Sequence, residues 1–188
     1  MKKFIISIIV ACIALSAQAQ DVELVINEQP RVFFEHTAIA DNSTTFAYLE
    51  ATYNGGSMLK LFHEQKFWNA PVFLHLEYQS TFNTHTAIAG ASYSFYLPTG
   101  FVSIAPLARY DWDINSFAVQ LSNSYSFNWG VLQFYGYNHL WYNGAMCFFG
   151  EERMHIKLSE HYAAGLILDI THFGAWEVIP ALGLRYSF

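Results

Sequence analysis

After the first twenty residues, apolar and polar side chains alternate at every second position through almost the whole chain, and a period of two dictates strands. In residues 114–127, Phe117, Val119, Leu121, Tyr125 and Phe127 share one parity, and Ser116, Ala118, Gln120, Ser122, Ser124 and Ser126 the other. Residues i and i+2 stand on one face of a strand, so this segment has an apolar face and a small-polar face. Val72, Leu74, Leu76 and Tyr78 oppose Phe73, His75, Glu77 and Gln79 in the same way. Ile104, Pro106, Ala108, Tyr110 and Trp112 oppose Ser103, Ala105, Leu107, Arg109 and Asp111, and Met154, Ile156 and Leu158 oppose Glu151, Arg153, His155 and Lys157. Short turn clusters separate the runs: Asp41-Asn42, Asn54-Gly55-Gly56, Asn69-Ala70-Pro71, Pro98-Thr99-Gly100, Asn143-Gly144 and Phe173-Gly174.

This pattern yields eleven clear strands and a twelfth over 22–27. Each strand with its turn has about fourteen residues, enough for a tilted membrane strand of about 9–11. The expected fold is all-β: a closed antiparallel up-and-down transmembrane β-barrel of about twelve strands with short turns. Ten strands is the alternative, if two of the turns are bulges.

Residues 1–19 read as a signal peptide, and residues 20–188 as the barrel. Lys2 and Lys3 form a basic start, Phe4 to Leu15 an apolar run, and Ala17-Gln18-Ala19 a small-x-small cleavage site. Ile9-Val10-Ala11-Cys12 loosely fits a lipoprotein signal, but cleavage there leaves an unusually short leader. Loss of Lys2 and Lys3 takes the formal net charge from −6 to −8, and loss of Cys12 leaves Cys147 as a single cysteine with no internal disulfide partner.

Alternation alone does not say which face is wet, and composition helps to decide. The chain is 53% hydrophobic and 18% aromatic but only 13% charged, where a soluble domain has about 25% charged residues. That balance excludes a disordered chain, and no basic stripe marks a nucleic-acid partner. The polar face carries Ser, Thr, Gln, Gly and Ala with sparse charge, unlike a water-washed barrel exterior. Apolar faces end in Tyr53, Trp68, Tyr78, Phe95, Trp112, Phe127, Trp129, Tyr142, Trp176 and Phe188, as the aromatic girdles of membrane barrels do. The final strand has apolar residues at every second position from Val178 to a terminal Phe188, the pattern read by the outer-membrane barrel assembly machinery. The expected location is therefore a Gram-negative outer membrane, with its lipid bilayer and that machinery as partners.

The segments EQKFWNAPVFLHLEY (64–78), FFGEERMHIKL (148–158) and VIPALGLRYSF (178–188) resemble an uncharacterised family of Gram-negative outer-membrane barrels, a domain of unknown function. That family is similar to the Tsx nucleoside-specific channel proteins, which are twelve-stranded. The resemblance runs from about Arg31 onward and implies a channel for a nucleoside-like solute. It carries over no Tsx site residue, and residues 21–29 depart from the family's usual first strand.

The candidate lumen residues follow from parity. Lys60, Glu64, His75, Glu77, Arg109, Asp111, Glu151, Arg153, His155 and Lys157 fall in i, i+2 sets, and Glu50, Asp169 and Arg185 share the polar parity. Such a spacing puts neighbours about 7 Å apart on one wall. Tyr135, Tyr137 and His139 complete the lining, with the two tyrosines and Phe73 available to stack on a planar ring. Glu152 breaks the parity and reads as a bulge or a strand end. The function expected is a narrow passive channel for small polar solutes. A structural barrel plugged by its own paired charges is the alternative, and an outer-membrane hydrolase a third reading. No G-x-S-x-G or H-E-x-x-H motif occurs, so no catalytic residue, metal or cofactor is expected, although His75 beside Glu77, or His139, could serve a dispersed site.

Overall fold

The computed structural model describes residues 20–53, 56–66, 70–81 and 84–188, with the side chains of Ile39 and Ala40 also left aside. The signal-peptide expectation, Trp68, and the turn residues Asn54, Gly55 and Asn69 lie outside the described residues.

Twelve strands follow one another: β1 (Asp21–Ile26), β2 (Arg31–Ala40), β3 (Ser43–Thr52), β4 (Ser57–Lys66), β5 (Val72–Thr81), β6 (Thr84–Leu97), β7 (Gly100–Asp111), β8 (Ser116–Trp129), β9 (Leu132–Tyr142), β10 (Met146–Lys157), β11 (Tyr162–His172) and β12 (Trp176–Ser187). Each pairs antiparallel with its chain neighbour, and β1 pairs with β12 to close the barrel. The twelve-strand expectation is met and the ten-strand alternative is excluded. The uncertain first strand is present but short, pairing from Asp21↔Ser187 to Ile26↔Leu182. Closure gives every strand two neighbours, which removes the exposed edge that an open sheet would present.

Tight turns set the hairpins. Gly144 and Gly174 sit at φ 100° and 108°, a backbone conformation that a side chain strains. Residues 112–115 form a turn, so β8 begins two residues later than the alternation suggested.

The register assigns the faces. Leu121, Val119, Leu182 and Leu184 point outward and are exposed, whereas Glu23, Gln120, Glu151 and His155 point inward and are at most 1% exposed. The barrel is thus apolar outside and largely polar inside, the arrangement that suits a hydrocarbon surround. The interior is not wholly polar: Val25, Phe33, Tyr48, Ile167 and Ala181 form one buried cluster, and Ile88, Ala105 and Leu107 another. One sequence expectation is corrected. Glu152 marks neither a bulge nor a strand end, because β10 pairs with β9 without interruption from Met146↔Tyr142 to Ile156↔Leu132. Glu152 faces outward.

Candidate functional site

The inward wall gathers every Lys and Arg of residues 20–188: Arg31, Lys60, Lys66, Arg109, Arg153, Lys157 and Arg185. A sheet of period two sorts these charges without further help, since one step along a strand reverses the face. They organise into two networks.

The first centres on Arg153 of β10. Its Nη1 lies 2.8 Å from Glu23 Oε2 of β1 and 2.9 Å from Glu35 Oε1 of β2, and its Nη2 lies 2.6 Å from Glu151 Oε1. The guanidinium also sits 5.0 Å from the Phe33 ring centroid and 5.4 Å from that of Tyr135. His155 Nε2 stands 2.7 Å from Glu23 Oε1. Gly183 clears the space for that contact, for a Cβ there would stand 2.6 Å from Glu23 Oε1 and 2.8 Å from His155 Nε2. On one flank Arg31 pairs with Asp169 and reaches Glu50 at 3.8 Å. On the other, Arg185 pairs with Asp21 and donates to the Tyr135 hydroxyl at 2.7 Å.

The second network spans β4 to β9. His75 lies between two carboxylates, with Nδ1 3.0 Å from Glu64 Oε1 and Nε2 3.0 Å from Glu77 Oε2. Lys60 Nζ is 3.1 Å from Glu77 Oε1. Arg109 donates to both oxygens of Asp111 and stacks on Trp141 at 4.8 Å. Its Nη1 donates to Gln120, whose neighbour Ser122 meets His139 Nδ1 at 2.8 Å.

Two contacts reach across the barrel. Lys60 of β4 lies 3.2 Å from His139 Nε2 of β9 and 4.7 Å from the Tyr137 ring centroid of the same strand. Arg153 joins β10 to β1 and β2. Lys60 and His139, five places apart in the ring of twelve strands, therefore meet across the lumen.

All sixteen candidates named from the sequence face inward. Fourteen enter the two networks: Glu50, Lys60, Glu64, His75, Glu77, Arg109, Asp111, Tyr135, His139, Glu151, Arg153, His155, Asp169 and Arg185. Tyr137 sits under Lys60, and Lys157 is exposed at the strand end, away from both networks. The tyrosines are not open platforms. Tyr135 is stacked on His155 at 5.4 Å and also meets two guanidinium groups, and Tyr137 packs against His139 and Phe149. The sequence reading missed Asp21, Glu23 and Arg31, and it put Gln120 on the polar face without naming it a candidate. Asp21 and Glu23 alternate with Val22 and Leu24, so parity was present in β1, but six residues give a weak signal.

The hydrolase reading meets a specific obstacle at His139. Lys60 Nζ, which only donates, stands at His139 Nε2, and Gln120 Nε2 and Ser122 Oγ both lie within 3.2 Å of Nδ1. With Ser122 at Nδ1, a cation stands at Nε2, where a catalytic triad needs a carboxylate. Among the described residues, no group of three or more His, Cys, Asp or Glu is arranged to hold a metal.

No protein-family model matches the chain, and no curated protein does. Solved structures do. A KdgM porin, solved in complex with disordered oligogalacturonate, superposes with a TM-score of 0.64 at 7% identity, covering 89% of this chain and 98% of that one. A NanC porin gives a TM-score of 0.63 at 8% identity over the same shares. At such identities the likeness is one of fold, and the fold shared is that of porins.

Proposed function

We propose that the protein is an outer-membrane barrel and a narrow passive channel for small polar solutes. Residues 1–19 act as its export leader, and the strand ending in Phe188 is the part read by the barrel assembly machinery. The observation that carries the channel reading is the inward placement of every Lys and Arg beyond the leader, within a barrel of porin fold. Such a wall replaces part of a solute's hydration with fixed charges and donors. Carboxylates outnumber Lys and Arg on the wall, which favours cations.

A second reading, a plugged structural barrel, is favoured by the contacts between Lys60 and His139 and by the low exposure of the Arg153 network. Narrow barrels do fill their interiors with side chains. The nucleoside-like solute implied by the Tsx resemblance has no geometric support, since Tyr135 and Tyr137 are already covered. Planar-bilayer recording of the purified protein separates the two readings. A channel conducts, with a reversal potential on the cation side, and Lys60→Ala raises its conductance. No current from either protein, with no liposome swelling in small sugars or amino acids, overturns the channel.

A further inference from the structure

From β6 to β12 the outward side chains away from the strand ends are aliphatic or aromatic, except at one place. There Asn123 of β8, Asn138 of β9 and Glu152 of β10 lie side by side, with Asn123 opposite Asn138 and Glu152 opposite Gly136. Tyr125 and Asn138 both donate to Glu152, the amide at 3.0 Å. Two glycines recess the group into the sheet. A Cβ on Gly136 would run into Glu152 Oε2, and one on Gly150 into Asn138 Oδ1.

The depth of this group decides its meaning. Glu152 is the seventh of twelve residues in β10, and Asn123 the eighth of fourteen in β8. Outward aromatics bracket the level, with Phe127 and Phe134 toward one end of the barrel and Tyr142 and Phe148 toward the other. The group therefore sits near the middle of the hydrocarbon, about 15 Å from either headgroup layer. Glu152 is satisfied there, but Asn123 is exposed and its amide has no hydrogen-bond partner among the described residues. Lipid tails offer none, and an amide left unpaired in an apolar surround is strongly disfavoured.

A partner for Asn123 from outside its own sheet approaches through the membrane at the same depth. A second copy does so by construction, because barrels inserted in one direction carry identical residues at identical heights. A two-fold axis along the membrane normal then brings Asn123 against the same residue of the other copy. A carboxamide is self-complementary about such an axis, each oxygen accepting from the opposite Nδ2. Ile104, Pro106, Leu121 and Leu140 surround it with surface that packs. We propose that the β8–β10 wall is a homodimer contact centred on Asn123 and the Glu152–Asn138 recess. The contact is independent of whether the lumen conducts.

The test is oxidative cross-linking of Asn123→Cys in native outer membranes, in a Cys147→Ser background, beside Leu61→Cys on the far wall as the control for random collision. Asn123→Cys is expected to give several-fold more disulfide dimer than Leu61→Cys. Asn123→Leu is expected to shift the protein toward monomer in single-molecule photobleaching of lipid nanodiscs, with folding verified by heat-dependent gel mobility. Cross-linking no greater than the control, cross-linking to a different protein, or an unchanged dimer fraction in folded Asn123→Leu overturns the proposal.

Discussion

Glu151 and Glu152 are identical side chains on consecutive residues, and the barrel wall sends them into different surroundings. Glu151 is 1% exposed inside the lumen and meets the guanidinium of Arg153 at 2.6 Å. Glu152 faces outward and is held by neutral donors, a tyrosine hydroxyl and a carboxamide. Inside, the balancing groups are drawn from three strands: Arg153 binds Glu151 of its own strand and also Glu23 and Glu35, and His155 joins Glu23. Outside, only the sheet's own neighbours are within reach, and glycine must make the room. Arg153 therefore depends on partners from strands that do not adjoin its own, whereas Glu152 depends on β8 and β9 beside it.

Removing Arg153 tests the inner half of this contrast most severely. Arg153→Met removes the guanidinium that three carboxylates share, and unpairing a buried charge destabilises by about 3–5 kcal/mol. Urea unfolding of the barrel in lipid vesicles, followed by tryptophan fluorescence, is expected to show a loss in that range. A loss no larger than that of Glu152→Gln would break the distinction between the two faces.

Gly136→Ala probes the outer half. The new methyl would run into Glu152 Oε2 and, at 2.7 Å, the Glu151 carbonyl oxygen, and overpacking of this kind costs about 1–3 kcal/mol. The double variant Gly136→Ala/Glu152→Ala is expected to recover part of the loss, because only the carboxylate half of the clash disappears. Full additivity in that cycle would mean that the glycine does not serve the carboxylate.

Tyr125→Phe removes a single donor from Glu152 and should lower stability least, by about 1 kcal/mol. The same unfolding assay reads it. An effect as large as that of Arg153→Met would show that the outer group, too, behaves as a buried charge.

Much of this structure was legible because a strand's two faces are written directly into residue parity. Arg109 beside Asp111 and Glu151 beside Arg153 were expected as i, i+2 neighbours and are bonded as such. The contact between Lys60 and His139 was not legible, because the chain separation of 79 residues carries no trace of which walls meet. Asn123 was passed over for a different reason. It shares the apolar parity of β8, and a single polar residue inside a strong alternation reads as noise until its depth and its unpaired amide are seen.

The order of residues by itself determined that the chain is a run of antiparallel strands with an apolar and a polar face, since local turn chemistry and a period of two need no distant contact. It also determined which side chains share the lumen, because closure carries parity around the whole wall. Only the tertiary structure decided that β1 completes the ring, that Lys60 meets His139 across the barrel, and that Glu152 faces outward in regular pairing. Those outcomes depend on which walls come within a few ångströms of one another, a distance that barrel closure sets and no local pattern records.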